Sequence, residues 1–156
     1  MPTPLLTLHH PGRAKLHYEN GHWQDETIYT AVRAQAERAP DALAVRQYDG
    51  DITYRELIDE ADRLADHLRG LGVQPGDRVG SWGPSSAAVA IGLLACSRDR
   101  LVYVPSLHRD HTVGDVATLM ESVTAAAILV DPRHGADTSR INAIEVLAES
   151  VDTVLD

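Results

Sequence analysis

Ile52-Thr53-Tyr54-Arg55-Glu56-Leu57 is the stretch from which the fold of this chain can be worked out. Thr53 and Glu56 stand three residues apart, the spacing at which each side chain can bond the other residue's backbone N–H in a capping box. That pattern predicts the start of a helix. Apolar residues then recur at helical spacing and form one stripe, whose members are Leu57, Ala61, Leu64, Leu68 and Leu71.

Glycine and proline predict where this helix ends. Gly70 and Gly72 can adopt the left-handed conformation that terminates a helix, and Pro75-Gly76 prevents it from resuming. The next apolar stretch, from Arg78 to Trp82, is short and predicts a strand.

The rest of the chain alternates between helical and strand patterns. An apolar run from Ala87 to Cys96 is followed by a strand at Leu101 to Val104, which Pro105 is expected to end. Further helices are predicted at Thr112 to Val123 and Ser139 to Ser150, with strands at Ala127 to Val130 and Val151 to Leu155. Crossover helices of this length join parallel strands, so we predict an α/β fold with a parallel sheet.

Upstream of this alternation the sequence predicts a helix and a β-hairpin. Thr27 to Arg38 has a helical pattern that Pro40 ends. Ala42 to Gln47 and Asp51 to Thr53 flank Tyr48-Asp49-Gly50, where Asp-Gly is a strong hairpin signal.

Residues 1–25 are interpreted as an irregular leader, and residues 26–156 as the α/β unit. Four histidines fall in the leader, but they lack the Cys or carboxylate spacing typical of a metal site. We therefore predict an exposed or edge-packed tail and no metal ligands among them; they are His9, His10, His17 and His22.

Composition limits the class of protein. The 156 residues, 44% of them hydrophobic, suffice for one core, and the net charge of −9 argues against a nucleic-acid or anionic-membrane partner. Neither a signal peptide nor an apolar run of membrane-spanning length is evident, so we predict a cytoplasmic protein without a membrane span. The single cysteine, Cys96, lies in an apolar run and is interpreted as a small buried hydrophobe.

Several motifs resemble one family. Ile52 to Leu57 resembles the first core motif of the AMP-dependent synthetases and ligases, the adenylate-forming superfamily. Gly72 to Val79 is similar to that family's Gly-Val-x-x-Gly-Asp-x-Val segment, and Leu93 to Pro105 to its second core motif. Glu19 to Asp25, with Gly21-His22-Trp23, is similar to the entrance of aryl-acid activating and cyclohexanecarboxylate-type CoA ligases.

The resemblance implies an incomplete N-terminal part of the large domain of an acyl- or aryl-CoA ligase. Such a parent enzyme activates a carboxylic acid with ATP and Mg²⁺ to an acyl-adenylate, and then transfers the acyl group to coenzyme A or another thiol. The family's phosphate loop and catalytic lysine have no counterpart here, because Lys15 is the only lysine and Gly83-Pro84-Ser85-Ser86 lacks one. We therefore assign no catalytic, cofactor-binding or metal residues, and expect Ser85 or Ser86 to cap the next helix.

One segment departs from the family pattern. Arg98-Asp99-Arg100-Leu101 stands where the family usually has a Gly-Ala pair. We interpret it as a solvated turn that does without a positive φ, with partner binding as the alternative.

Three other features allow a functional interpretation besides the structural one. Ser106, His108, Asp110 and His111 combine the groups of a nucleophilic triad, although a polar loop that caps the helix from Thr112 is the simpler interpretation. A turn is predicted at Asp131-Pro132-Arg133-His134-Gly135, which could form a ligand loop only by its position. Trp82 is predicted to lie in the core or at an interface.

Two alternatives to a ligase segment remain open. One is a non-catalytic α/β module that binds a nucleotide or a protein, for which Asp131 is the only tempting phosphoacceptor. The other is a truncated paralogue that folds without chemistry. For the ligase interpretation we predict open sheet edges, and self-association or association with a missing C-terminal remainder.

Overall fold

The computed structural model describes residues 10–48, 50–106 and 108–156. Helices in these ranges are α1 (Pro11–Glu19), α2 (Ile28–Arg38), α3 (Tyr54–Gly70), α4 (Ala87–Arg98), α5 (Val113–Ser122) and α6 (Ala143–Ala148). Strands are β1 (Leu43–Gln47), β2 (Gly50–Thr53), β3 (Arg78–Trp82), β4 (Val102–Ser106), β5 (Ala125–Val130) and β6 (Thr153–Leu155).

Two sheets organise the described part of the chain. β1 and β2 form an antiparallel hairpin, and the other strands form a four-stranded sheet in the order β4-β3-β5-β6. All three pairings in the larger sheet are parallel, with Gly80 opposite Val104 on one side and Ile128 on the other. The predicted hairpin and parallel sheet are both confirmed.

The alternating side chains of β3 divide the core between the two faces of the larger sheet. Val79 packs with Leu68 of α3 and Cys96 of α4 on one face. Trp82 packs on the other face, with Val113 of α5 and Leu147 of α6. A third cluster joins α2 and the hairpin to α3 and α4, so the central sheet is covered by helices on both faces.

Helix α3 begins with the predicted capping box. The Glu56 N–H donates to Thr53 Oγ1 at 3.3 Å, and the Thr53 N–H donates to Glu56 Oε2 at 2.8 Å. The bonds from the Thr53 backbone and hydroxyl favour the ionised carboxylate and lower the pKa of Glu56. At the other end, Gly72 takes the positive φ of 92°, whereas Gly70 remains helical.

We expect Thr53→Ala to lower the free energy of unfolding by about 1 kcal/mol, because the Glu56 N–H loses its acceptor. Denaturant melts monitored by circular dichroism measure this change. Thr53→Ser retains the hydroxyl and should melt close to the wild type. Equal stability of the Ala variant and the wild type would show that the box does not stabilise α3.

Four predicted features need correction. Residues 11–19 of the leader form α1, with His10 as its N-cap, so the irregular interpretation is wrong there; residues 1–9 lie outside the described residues. β4 continues through Pro105, which is tolerated because β4 is an edge strand of the described sheet and Pro lacks only the N–H. The predicted helix of residues 139–150 shrinks to α6, and β6 starts at Thr153 rather than at residue 151.

The turn around Asp137 explains the late start of α6. The backbone C=O of Asp137 accepts from the N–H groups of Arg140 and Ile141, at 2.8 and 3.1 Å, which folds these residues into a turn. At the other end of α6, the Val151 N–H donates to the Leu147 C=O at 3.0 Å and so belongs to the helix exit.

Candidate functional site

The carboxyl ends of β3, β4 and β5 bring the loops of this chain together at one edge of the sheet. The chain passes from β3 to β4 on one side and then crosses to β5 on the other, so the strand order reverses at β3. Open α/β sheets bind ligands in the crevice at such a reversal. We therefore take the groups at this edge as the candidate site.

Only part of the predicted triad assembles. Ser106 is buried, and its Oγ lies 3.3 Å from Nδ1 of His111. The His108 ring stands 5.0 Å from the His111 ring, between centroids. Asp110 is exposed, and no hydrogen bond or ion pair connects it with either imidazole among the described residues.

The carboxylate near His111 belongs instead to a helix cap. Asp115 Oδ2 accepts from the Thr112 N–H at 2.9 Å, and the Asp115 N–H donates to Thr112 Oγ1 at 3.2 Å. Bonds from Thr112 lower the pKa of Asp115, with a smaller contribution from His111. The interpretation of this loop as a polar cap for α5 is confirmed, and its groups do not form a triad.

The loop after β5 is the predicted turn. Asp131 Oδ1 accepts from the Arg133 N–H at 2.9 Å, and this bond lowers the pKa of the Asp131 carboxyl. His134 is buried with its ring 5.8 Å from the Trp82 ring in an edge-on contact. Its Nε2 has no hydrogen-bond partner among the described residues.

Trp82 links the three loops of this edge. Its side chain is fully buried, and its Nε1–H donates to the His108 C=O at 3.3 Å. A Cβ added to Gly135 would lie 2.4 Å from the indole ring, so the ring rests directly on that glycine. The prediction of a core position for Trp82 is confirmed.

The cap of α4 comes from a residue that the sequence analysis did not single out. Ser86 occupies the N-cap position, but its side chain makes no cap bond, which corrects the expectation for Ser85 or Ser86. Gln47, at the end of β1, accepts from the Ala87 N–H through its Oε1 at 2.9 Å. A contact across 40 residues of sequence leaves no local signal.

A groove of about 420 Å³ opens at the carboxyl ends of the strands, on the face covered by α3 and α4. We call it the strand-end groove. Gly83 and Pro84 of the loop after β3 line it, together with buried Ser81. Its walls are mainly apolar, and the residues on them include Leu64, Val89, Ile91, Leu129 and Leu155.

The segment that departs from the family pattern forms a polar network between α3 and α4. Arg98 donates from Nη1 to the Asp62 C=O and from Nη2 to Asp66 Oδ1, each at 2.8 Å. Asp99 accepts from Arg69 at 2.6 Å. The side chain of Arg98 is 23% exposed and that of Asp99 17%, so the interpretation as a solvated turn is wrong for both.

Arg100 also contradicts the expected backbone conformation, since its φ is 59°. The Leu101 N–H donates to the Cys96 C=O at 2.8 Å, the bond that ends a helix when the residue before it is left-handed. Glycine at this position would adopt the same conformation without steric cost. The turn therefore keeps the geometry that glycine favours, although it has an arginine.

Cys96 is buried at the end of α4, and burial raises the pKa of its thiol to about 12. A protonated thiol is neither a nucleophile nor a metal ligand. The interpretation of Cys96 as a buried hydrophobe is confirmed. Within the described ranges, no three His, Cys, Asp or Glu side chains come together as a metal site.

The leader histidines have structural contacts. His10 Nδ1 accepts from the Gly12 N–H at 3.1 Å and caps α1. His17 stacks on Trp23 with ring centroids 4.9 Å apart, and His22 lies 6.1 Å from His17. Along residues 10–48, 50–106 and 108–156, no helix has the length and apolar character needed to cross a membrane.

Comparison with known proteins identifies the family of this α/β unit. The model of the AMP-binding enzyme family matches residues 32–156, and the chain belongs to this family. The resemblance found in the sequence is thereby confirmed.

Similar proteins include ligases and peptide synthetases. The chain is 35% identical over 132 residues to the salicyl-AMP ligase / salicyl-S-ArCP synthetase of Mycobacterium tuberculosis, covering 80% of this chain and 23% of the ligase. It is 39% identical over 112 residues to the FR901469 synthetase of a Dothideomycetidae species, covering 72% of this chain and 1% of the synthetase.

The apo structure of Mycobacterium smegmatis MbtA matches all of this chain and 28% of its own, with a TM-score of 0.72 and 29% identity. The fold is therefore that of part of the large domain of adenylate-forming enzymes. The chain spans less than a third of the length of each of these relatives.

Proposed function

We propose that this chain forms the N-terminal α/β part of an enzyme that activates a carboxylic acid with ATP. The product would be an acyl-adenylate, whose acyl group is then passed to a thiol. The family match over residues 32–156 carries this proposal. The parallel sheet and capped α3 support it, because they place the first and second core motifs in one folded unit.

The residues present do not fit a site for ATP and Mg²⁺. Lys15, the only lysine, lies on exposed α1 and pairs with Glu19 at 3.4 Å. The first N–H of α4, which could face a phosphate, is already bonded to Gln47. We therefore derive no catalytic step from these 156 residues and propose that the chemistry requires further polypeptide.

Coenzyme A is the acceptor thiol proposed from the motifs. A carrier-protein thiol is a second candidate, favoured by the 35% identity to a protein named salicyl-S-ArCP synthetase. The solved benzoate CoA ligase of Burkholderia xenovorans is 21% identical to this chain and supports the fold alone. An aryl acid is the substrate that the Gly21-His22-Trp23 segment favours, and a cytoplasmic location stays a prediction.

Pyrophosphate exchange into ATP tests the proposal. We expect the chain alone to give no carboxylate-dependent exchange, because a lysine for the phosphates is lacking near the sheet edge. Salicylate and benzoate are suitable acids, and a no-protein sample gives the background. Exchange above that background would contradict the expectation if it is lost when Trp82 or Leu68 is replaced.

A complementation experiment tests whether the chain is a working part of such an enzyme. The chain is mixed with the part of the M. tuberculosis salicyl-AMP ligase that follows the aligned stretch. We expect exchange from the mixture and none from either polypeptide alone. A mixture that assembles but shows no exchange would favour the non-catalytic alternatives.

A further inference from the structure

Helix α1 receives little support from the rest of the structure. Its nine residues include no buried side chain, and no hydrogen bond or ion pair joins it to another helix or strand among the described residues. Isolated helices shorter than about 12 residues are only marginally stable in water. The stability of α1 therefore depends strongly on the bonds at its own two ends.

A histidine caps the first end of α1. His10 is the N-cap residue, and the Gly12 N–H donates to its Nδ1 at 3.1 Å. Nδ1 accepts this bond through its lone pair, so the imidazole carries no proton on that nitrogen. The residues that cap α2, α3 and α5 accept through a hydroxyl oxygen instead; they are Thr27, Thr53 and Thr112. Of these four caps, that of α1 is the one whose acceptor gains a proton near neutral pH.

A proton on Nδ1 of His10 opposes the first turn of α1 in three ways. It turns the acceptor into an N–H donor, which leaves the Gly12 N–H without its bond. It places a positive charge at the helix N-terminus, where the macrodipole disfavours cations. Arg13 follows three residues later in the chain and repels that charge.

No carboxylate forms an ion pair with His10 in the described part of the chain. Glu19 is the only acidic residue of α1, and it pairs with Lys15 at 3.4 Å. No side chain of another described helix or strand is bonded to the His10 ring. The cap is therefore formed while His10 is neutral, and it is lost as the pH falls through the range in which histidine titrates, about pH 8 to 5.

The last turn of α1 responds to acid in the opposite sense. His17 lies in this turn, where the macrodipole favours a cation, and its ring stacks on Trp23 with 4.9 Å between the centroids. A protonated His17 would also be attracted to the indole face. Acid is therefore expected to loosen the first turn of α1 while the last turn keeps its structure.

We propose that His10 makes the first turn of α1 a pH-dependent element, which is helical near neutral pH and uncoils in mild acid. The backbone of His10 is extended, with φ −71° and ψ 128°, and it sets the direction in which the chain enters the helix. Uncoiling removes this constraint on the direction of entry. The inference goes beyond the proposed function, which does not depend on α1.

Nuclear magnetic resonance of the full chain tests the proposal. The Cα chemical shifts of residues 11–14 report helix in the first turn, and those of residues 16–19 report the last turn. Between about pH 8 and pH 5 we expect the ratio of helix to coil in the first turn to fall about tenfold, because the cap bond is lost and an unfavourable charge is added. Residues 16–19 should change far less. First-turn shifts that stay constant over this range would overturn the proposal.

Two substitutions of adjacent histidines assign the effect to one imidazole. His10→Asn supplies a good N-cap that does not titrate, so its first turn should stay helical at both pH values. His9→Asn retains His10 and should show the wild-type loss of helix in the first turn. The proposal is wrong if His10→Asn keeps the pH dependence of the wild type, or if His9→Asn abolishes it.

The nitrogen chemical shifts of the His10 ring give an independent readout. At about pH 8 we expect Nδ1 to have the shift of a hydrogen-bonded lone pair, and Nε2 that of an N–H group. A proton on Nδ1 at this pH would contradict the cap and overturn the proposal, whatever the Cα shifts show.

Discussion

Replacement of Trp82 by Ala is expected to lower the free energy of unfolding by about 3–5 kcal/mol. The indole is fully buried between β3 and the helices α5 and α6, and it is the largest fully buried side chain. Its removal leaves a cavity against His134 and Gly135, and the His108 C=O loses the Nε1–H donor at 3.3 Å. The three loops at this edge would lose the indole ring that they all contact.

Denaturant titration followed by circular dichroism measures the loss. Trp82→Phe keeps an aromatic ring but removes the donor, so it separates packing from the bond to His108; we expect it to cost clearly less than the Ala variant. If Trp82→Ala loses under 1 kcal/mol, the ring does not organise this edge of the sheet, and the packing described here is wrong.

The sequence predicts elements whose cause is local. The capping box at Thr53 and Glu56 and the apolar stripe of α3 depend on residues three or four positions apart. β3 and β5 are short apolar runs between turn residues. Such features need no knowledge of distant contacts, and the structure confirms them except at Leu71, the last member of the predicted stripe, which lies beyond α3 and is exposed.

The features that the sequence did not predict depend on contacts between residues that are far apart in sequence. Gln47 replaces Ser86 as the cap of α4 from 40 residues away. Arg98 is drawn out of solvent by Asp62 and Asp66 of α3, and nothing near it in sequence indicates those partners. Asp110, by contrast, lies next to His111 in sequence but forms no hydrogen bond with it among the described residues, and the carboxylate of the nearby helix cap is that of Asp115.

The sequence predicted where the candidate site lies, but only some of the residues and contacts that form it. The carboxyl ends of the strands follow from the α/β alternation, and so does the gathering of loops there. The strand-end groove depends on how α3 and α4 cover β5 and β6, which a linear pattern does not give. His134 likewise carries no local signal, since its burial follows from the packing of Trp82.

The second large loss of stability is expected from a substitution at Gly135. Its φ is 123°, in a region that residues with a Cβ rarely adopt, and strain there costs about 1–3 kcal/mol. An added Cβ would also lie 2.4 Å from Cζ2 of Trp82 and 3.1 Å from the His111 C=O. The ring cannot move away freely, because it is fully buried among α5 and α6 side chains.

Gly135→Ala is therefore expected to lower the free energy of unfolding by about 2–6 kcal/mol, the sum of backbone strain and overpacking. Gly76→Ala is the matched control, since Gly76 also has a positive φ, of 94°, but a Cβ there meets nothing within 4 Å. The difference between the two variants reports the contacts of the added Cβ with the ring and with the His111 C=O. In a Trp82→Ala background the ring contact is gone, so Gly135→Ala should cost less than it does in the wild type. Denaturant melts of the wild type, Trp82→Ala, Gly135→Ala and the double variant complete the double-mutant cycle. Equal costs of Gly135→Ala in both backgrounds would show that the ring and the glycine are not coupled.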